Sequence, residues 1–264
     1  MTQTASWIRR LDAPAGAAAP DPQLVCFPHA GGSAGFYRPL AAELAGHAEV
    51  LGVQYPGRQD RYAEPVVTDV HQLADRVAEV LGQGEAGRPR ALFGHSLGAV
   101  VAYEVAARLG DAAPVALIVS GRPAPSRIRR SSAYLLPEDA LVEQVRSLGG
   151  TESELLDHPE LRSLLLPLIR GDYRASETYR FGGGPPLGCP VVAVTGDDDP
   201  LTPVADARVW AEHTTGPFRL QVLSGGHFFL TEHWAELART VRSGTEAALA
   251  RPRRHGPAAA RRVA

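Results

Sequence analysis

The sequence predicts an α/β fold, in which a mostly parallel central sheet carries helices on both faces. Short apolar runs of the kind found in buried parallel strands recur along the chain, and helical patterns lie between several of them. A chain that alternates strands with helices in this way forms a parallel sheet, because each helix carries it back across the sheet. The length of 264 residues fits one such domain.

The predicted strands are short runs rich in Val, Ile, Leu and Ala. They lie at residues 24–27, 50–53, 91–93, 115–119, 191–195 and 220–223. The clearest helices are predicted at residues 70–81, with Thr68 as the N-cap, and at residues 97–109, where apolar residues keep helical spacing.

The alternation stops between Ser120 and Val191, where helical signals occur without a convincing strand. Such a long interval exceeds an ordinary crossover, so we expect an insertion at about residues 124–182. It is either additional core packing or a helical lid with an apolar underside over an active site. Two apolar groups predict that underside: Leu141, Val142, Val145 and Leu148, and then Leu155, Leu161, Leu164, Leu165 and Leu168.

The flanking segments and the composition set further expectations. Residues 1–23 are interpreted as an N-terminal lead-in, residues 24–250 as the domain, and residues 251–264 as a disordered basic tail. The net charge of −2 gives no surplus for binding nucleic acid. There is neither an apolar run long enough for a membrane span nor a secretory leader, so we expect a cytoplasmic protein. A monomer is the default expectation, because the predicted edge strands and helices are unremarkable.

Two cysteines, Cys26 and Cys189, are too few for a disulfide scaffold and lack metal-ligand spacing. We therefore expect two reduced thiols and no metal site. Cys26 lies in a predicted buried strand, which makes it a poor nucleophile.

The segment Gly94-His95-Ser96-Leu97-Gly98 matches the Gly-X-Ser-X-Gly pattern of a nucleophile elbow. The pattern alone is weak in a glycine-rich chain, but here a predicted strand precedes it and a predicted helix follows, as an elbow requires. The glycines are needed because the tight turn leaves no room for a β-carbon. This context predicts that Ser96 is the nucleophile of an α/β-hydrolase fold, a mostly parallel sheet with helices on both faces and an inserted helical lid.

A serine nucleophile needs a histidine base and an acid that orients it. His227 follows the last predicted strand, whereas His213 and His233 lie in helix-like stretches and the histidines before Ser96 do not fit the Ser, Asp, His order of this class. Three adjacent aspartates follow the strand at residues 191–195. Asp199, ahead of Pro200, is preferred as the acid and Asp198 is the alternative; the remaining two would be a solvated acidic turn.

The second oxyanion donor is expected in the loop after the first predicted strand, Pro28-His29-Ala30-Gly31-Gly32-Ser33, whose glycines allow close backbone approach. The Ala30 N–H would pair with the N–H of Leu97, at the positive end of the helix that follows Ser96. Phosphate binding is the alternative for such a loop, but neither a Walker lysine nor Rossmann glycine spacing is present.

Several motifs together resemble type II thioesterases, the discrete editing enzymes of modular polyketide and nonribosomal peptide synthesis. They are Phe27-Pro28-His29-Ala30-Gly31-Gly32, Tyr55-Pro56-Gly57-Arg58, Gly94-His95-Ser96-Leu97-Gly98 and Gly225-Gly226-His227-Phe228-Phe229. The likeness runs from about residue 24 to 249. The Tyr-Pro-Gly-Arg element is the most diagnostic, since a generic esterase has no reason to carry it. The inserted segment fits less well, with Gly171 where an alanine is usual.

The resemblance implies hydrolysis of acyl groups from the phosphopantetheine arm of acyl or peptidyl carrier proteins, which clears stalled or misprimed chains in antibiotic biosynthesis. It implies no cofactor of the enzyme's own, because the substrate carries the phosphopantetheine. It also matches the acid to Asp199. The short stretch before residue 24 leaves no room for a carrier domain, so we expect the carrier to be a separate protein.

Two further points stay open at this stage. Arg58, Arg61, Arg127, Arg129 and Arg130 are either a docking surface for an acidic carrier protein or a solvated surface with local ion pairs. The alternatives for the function are a carboxylesterase, an acyltransferase, and a non-catalytic binding protein of the same fold. The last would be expected to lack the serine, the histidine or the acid.

Overall fold

The computed structural model describes residues 7–11, 21–84, 87–127, 131–150 and 155–250. Within them, seven strands form one sheet in the order β1-β3-β2-β4-β5-β6-β7. All neighbouring strands pair in parallel except β1, which runs antiparallel to β3. The strands are β1 (Ile8–Arg10), β2 (Gln23–Phe27), β3 (Glu49–Val53), β4 (Arg90–His95), β5 (Ala116–Ser120), β6 (Val191–Gly196) and β7 (Phe218–Leu223).

The six strands expected from apolar runs are confirmed, with ends that shift by one or two residues. The expectation that the first strand begins at residue 24 is wrong, because β1 precedes it. Its sequence, Ile-Arg-Arg, has one apolar side chain, and it pairs only with β3 at the sheet edge, so no apolar run marks it.

Seven α-helices are described. They are α1 (Arg38–Glu43), α2 (Val70–Gly82), α3 (Leu97–Arg108), α4 (Glu138–Leu148), α5 (Pro159–Thr178), α6 (Val204–Arg208) and α7 (Trp234–Leu249). The two helices predicted from periodicity correspond to α2 and α3. The predicted N-cap of α2, Thr68, is wrong: Asp69 adopts the extended cap conformation, and its carboxylate accepts a hydrogen bond from Gln72 N at 2.8 Å.

Helices cover both faces of the sheet, as the sequence predicts. In β2, Val25 and Phe27 point into one core together with α2 and α3, whereas Leu24 and Cys26 point into a second core with α1 and α7. Because successive strand residues point to opposite faces, a strand covered on both sides must be apolar throughout. All residues of β2, β4, β5 and β6 are buried.

The insertion between β5 and β6 has no strand among its described residues and carries α4 and α5. Its helices share a small core of their own, in which Leu141, Val142 and Val145 are buried as predicted. The second predicted apolar group does not form one stripe. Leu168 is buried, but Leu155, Leu161 and Leu164 are exposed, because α5 continues through Pro167 and turns its Leu166 and Ile169 face inward instead.

The predicted tail, residues 251–264, lies outside the described residues, as do residues 1–6 and 12–20 of the predicted lead-in. Throughout the described ranges, each helix is too short or too polar to cross a bilayer.

Candidate active site

Ser96 occupies the turn between β4, the middle strand of the sheet, and α3. Its backbone has φ 53° and ψ −115°, a left-handed conformation that side chains rarely adopt. The turn is held by a hydrogen bond from Ser96 N to Ser120 O at 2.9 Å. The strand and helix that the nucleophile-elbow pattern requires are both present.

The two glycines of the motif have the steric role that the sequence predicts. A β-carbon added to Gly94 would lie 2.2 Å from Gly98 O, and one added to Gly98 would lie 1.9 Å from Phe27 O. Neither contact is possible, so the turn that presents Ser96 requires glycine at both positions.

The structure brings together the three side chains predicted as nucleophile, base and acid. His227 Nε2 lies 3.0 Å from Ser96 Oγ, and His227 Nδ1 lies 3.0 Å from Asp199 Oδ2 and 3.1 Å from Oδ1. They follow β4, β7 and β6, so they meet at the carboxyl edge of the sheet. This arrangement allows the imidazole to accept the serine proton while the carboxylate holds its other nitrogen protonated.

The structure separates Asp199 from the aspartates beside it. Asp199 is 6% exposed, whereas Asp197 and Asp198 are exposed to solvent. Burial opposes ionisation of Asp199, but the hydrogen bond and charge of His227 and the Leu201 N–H outweigh it, so the pKa of this carboxyl is lowered. Asp197 has a local role, since it accepts a hydrogen bond from Gly225 N at 2.8 Å.

The two predicted oxyanion donors belong to segments next to the nucleophile. Leu97 directly follows Ser96 and is the first residue of α3, where a backbone N–H has no carbonyl partner within the helix and the helix dipole is positive. Ala30 lines the same cavity as Ser96 and lies in the loop after β2. Their role as oxyanion donors stays a prediction.

A cavity with about 570 Å³ of empty space, part of it open to solvent, lies above Ser96 and His227. The inserted helices α4 and α5 form much of its wall. Its apolar lining residues are Ala30, Val145, Leu148, Ile169, Leu201 and Phe228. A cavity of this kind fits a hydrocarbon-like group attached to the reacting carbonyl.

Two buried histidines beside His227 were not identified as site residues from the sequence. His95 Nδ1 lies 3.0 Å from Ser120 Oγ, and the His95 ring centroid lies 5.0 Å from that of His227. The His29 ring lies 6.1 Å from His95. Both histidines lie within the two glycine-rich motifs of the sequence. Those motifs predict roles for backbone groups and for Ser96, so they do not identify either histidine as a site residue.

Burial, aided by the nearby His227 and His29, lowers the pKa of His95 well below its usual value, and burial also lowers the pKa of His213. The unfolded chain takes up protons near pH 6.5 whereas these folded groups do not. The free energy of unfolding is therefore expected to be constant above about pH 7 and to fall below about pH 6.5, by up to about 1.4 kcal/mol per pH unit for each histidine. Urea denaturation between pH 5 and 8 measures this slope.

His95→Gln keeps a side chain that can hydrogen-bond to Ser120 and removes one titrating group, so its slope is expected to be shallower than that of the wild type. Gln83→Ala, at an exposed position without a titrating side chain, is the control and should leave the slope unchanged. Equal slopes in wild type and His95→Gln would contradict the assignment of the effect to this histidine.

Two of the five arginines suggested as a carrier-docking surface, Arg58 and Arg61, are buried. Arg58 is 4% exposed and Arg61 is 5% exposed, and each binds a carboxylate, Asp172 or Glu64 respectively. Arg127 is exposed, and Asp206 lies 3.9 Å away. Arg129 and Arg130 lie outside the described residues. Arg58 and Arg61 are therefore wrong as docking residues, since their charged groups are buried in ion pairs.

Groups of three or more His, Cys, Asp or Glu side chains that could hold a metal ion do not occur in the described ranges. Cys26 and Cys189 are both buried.

A mostly parallel sheet with a serine on the turn after its middle strand defines the α/β-hydrolase class, and the protein has this fold. A sequence profile described as "Thioesterase domain" matches residues 22–244. The chain belongs to the thioesterase family.

Individual relatives agree with this placement. The "Probable cadicidin biosynthesis thioesterase" of Streptomyces griseus is 49% identical over 231 residues, which are 87% of this chain and 63% of the relative, so the chain spans less than two thirds of that protein. "Thioesterase PikA5" of Streptomyces venezuelae is 42% identical over 238 residues, 89% of this chain and 84% of the relative. The solved type II thioesterase BorB, from the borrelidin biosynthetic cluster, superposes with a TM-score of 0.82 at 49% identity over 91% of this chain and 98% of its own.

Proposed function

We propose that the protein hydrolyses acyl groups from the phosphopantetheine arm of acyl or peptidyl carrier proteins, and so edits stalled or misprimed chains in polyketide or nonribosomal peptide synthesis. The observation that carries the proposal is the contact of Ser96, His227 and Asp199 beneath an apolar cavity, in a chain of the thioesterase family. In this account the enzyme is a cytoplasmic monomer that needs no cofactor, because the substrate brings the phosphopantetheine.

In the acylation step, His227 Nε2 accepts the Ser96 hydroxyl proton as Oγ bonds to the thioester carbonyl carbon. The carbonyl electron pair moves onto oxygen, and the resulting oxyanion accepts hydrogen bonds from the Ala30 and Leu97 N–H groups. When the oxyanion collapses, the carbon–sulfur bond breaks, and the thiolate takes the proton from His227. The products are an acyl-Ser96 ester and the free phosphopantetheine thiol.

In the deacylation step, water replaces the thiol as the nucleophile. His227 Nε2 accepts a proton from water, and the hydroxide oxygen bonds to the acyl carbon. The ester carbon–oxygen bond then breaks, Ser96 recovers its proton from His227, and the carboxylic acid leaves. Asp199 stays ionised throughout, holds Nδ1–H and stabilises the imidazolium that forms in both steps.

The apolar side chains of the inserted helices are an argument for a substrate with an apolar acyl chain. Val145 and Leu148 of α4 and Ile169 of α5 form a wall that faces the nucleophile. Apolar contact with the acyl chain would contribute about 25 cal/mol for each Å² removed from water. In the proposal this contact provides the acyl selectivity, and α4 and α5 act as a lid.

The test compares one acyl group in three forms: on the phosphopantetheine arm of a carrier protein, as a small N-acetylcysteamine thioester, and as the matched oxygen ester. We expect kcat/KM to decrease in that order, because a separate carrier adds binding energy and a thiol leaves more readily than an alcohol. Intact-protein mass of the carrier measures the first reaction, through loss of the acyl mass and recovery of the free thiol.

The alternatives give different orders. Faster cleavage of the oxygen ester than of both thioesters would indicate a carboxylesterase, and an alcohol or amine that captures the acyl group in preference to water would indicate an acyltransferase. A fluorophosphonate probe that left Ser96 unlabelled would indicate a binding protein.

A further inference from the structure

A buried ion pair, Arg58–Asp172, lies beside the loop that contains Ala30. Arg58 Nη1 donates to Asp172 Oδ2, and Nη2 donates to Oδ1, both at 2.9 Å. The side chains of Arg58 and Asp172 are 4% and 1% exposed. A bidentate pair between a planar guanidinium and a carboxylate has one favourable geometry. Because both groups are buried, neither can hydrogen-bond to water in place of its partner. The pair is thus suited to hold its neighbours in position.

Both partners also bind the backbone of the loop after β2. Arg58 Nη1 donates to Gly32 O at 2.9 Å, and Gly31 N donates to Asp172 Oδ2 at 2.8 Å. Gly31 has φ +82°, a conformation that favours glycine, so the loop relies on such contacts to keep its shape. The contacts fall on the two residues directly after Ala30, whose N–H is the proposed oxyanion donor.

The same pair reaches the wall of the cavity through α5. Asp172 lies within this helix, and the residues one position after it and three before it, Tyr173 and Ile169, line the cavity. The next residue toward the amino end is Gly171, where an added β-carbon would lie 2.7 Å from Val66 Cγ1. The helix is therefore packed closely at this point, and an alanine there would require Val66 to move.

We propose that Arg58 and Asp172 are positioning residues, which hold the Ala30 N–H at the oxyanion site and join it to the acyl-binding wall on α5. The inference rests on the proposed function. Neither side chain contacts the reacting atoms; both act through Gly31 and Gly32. One ion pair would then set the positions of both the oxyanion donor and the cavity wall on α5. A substrate acyl chain that displaces α5 would therefore also displace the donor.

The test uses acetyl-N-acetylcysteamine, whose short acyl group and lack of a carrier remove wall and docking effects. Arg58→Lys keeps the charge but loses the bidentate geometry, and Asp172→Asn keeps the size but loses the charge. We expect each to lower kcat by about 10- to 100-fold with KM within about 2-fold of wild type, because loss of one oxyanion donor costs on the order of 10²- to 10³-fold. The double variant should lose no more kcat than the more impaired of the two single variants, because both residues act through the same ion pair.

Two further measurements separate positioning from general destabilisation. Affinity for a trifluoromethyl ketone, which forms a tetrahedral oxyanion on serine, should fall by the same factor as kcat/KM. Arg90→Lys is the matched control: Arg90 is also buried and binds Leu81 O and Gln23, but it lies at the amino end of β4, away from the loop. It should lower the melting temperature and leave kcat unchanged.

The inference would be overturned if kcat and ketone affinity in Arg58→Lys and Asp172→Asn stayed within about 2-fold of wild type. It would also be overturned if Arg90→Lys, at a similar loss of melting temperature, lowered kcat and ketone affinity by the same factor. If Arg58→Lys does not fold, Asp172→Asn decides by the same criteria. A wild-type protein that does not cleave the thioester would instead overturn the proposed function, and this inference with it.

Discussion

Replacing Ser96 by alanine is expected to lower kcat for an acyl thioester by about 10⁴-fold or more, because the proposed acyl intermediate forms on the Ser96 hydroxyl. Stability should change little. Ser96 is the N-cap of α3 but makes no side-chain capping hydrogen bond, so alanine removes only the contact with His227. Initial rates with an N-acetylcysteamine thioester and thermal melting of the same preparation measure both quantities.

Ser243→Ala is the matched control for this substitution. Ser243 lies in α7, is exposed, and does not line the cavity; its hydroxyl donates to Thr240 O at 3.1 Å. The control should keep wild-type kcat. If Ser96→Ala retained more than about a hundredth of wild-type kcat with a normal melting temperature, Ser96 would not be the nucleophile.

Asp199→Asn is expected to lower kcat by about 10⁴-fold. An asparagine amide that donates to His227 Nδ1 would favour the tautomer with a proton on Nε2, and this nitrogen could no longer accept the Ser96 proton. Asp198→Asn is the matched control, because Asp198 is adjacent in sequence but exposed. Its kcat should stay within about 2-fold of wild type, and rates of both variants at pH 7.5 measure the difference.

The lowered pKa of Asp199 gives a second readout for the same pair of variants. A carboxyl with a lower pKa in the folded state stabilises the fold above its unfolded pKa of about 4, and this contribution is lost as the pH falls through the folded value. Asp199→Asn should therefore lose stability at neutral pH and become less sensitive to acid below pH 4. Equal activity loss in Asp198→Asn and Asp199→Asn would contradict the assignment of the acid.

The parallel sheet could be predicted because its strands are buried on both faces and so appear as continuous apolar runs. Edge strand β1 could not, since Arg9 and Arg10 give no such run and its place depends on pairing with β3. The cap of α2 shows a similar limit. Thr68 and Asp69 are both good capping residues, and only the backbone conformation at Asp69 distinguishes them.

Within the site, the elbow could be located from local sequence because a strand precedes Ser96, two glycines flank it and a helix follows. His227 could be located because it directly follows the last predicted strand. Sequence reasoning preferred Asp199 over Asp198, and burial and the contact with His227 distinguish the two in the structure. Arg58 was misread as a surface group for a physical reason. Its partner Asp172 is 114 positions away, so nothing near Arg58 in the sequence shows that its charge is paired and buried.

The most direct test of the central claim, acyl transfer from a thioester to Ser96, is peptide mapping after rapid acid quench of the wild-type enzyme with an acyl-carrier substrate. We expect one acyl group on the peptide that contains Ser96 during turnover. We also expect no adduct in Ser96→Ala and release of the thiol before the acid. Release of the acid and the thiol together, without an adduct on that peptide, would contradict the claim.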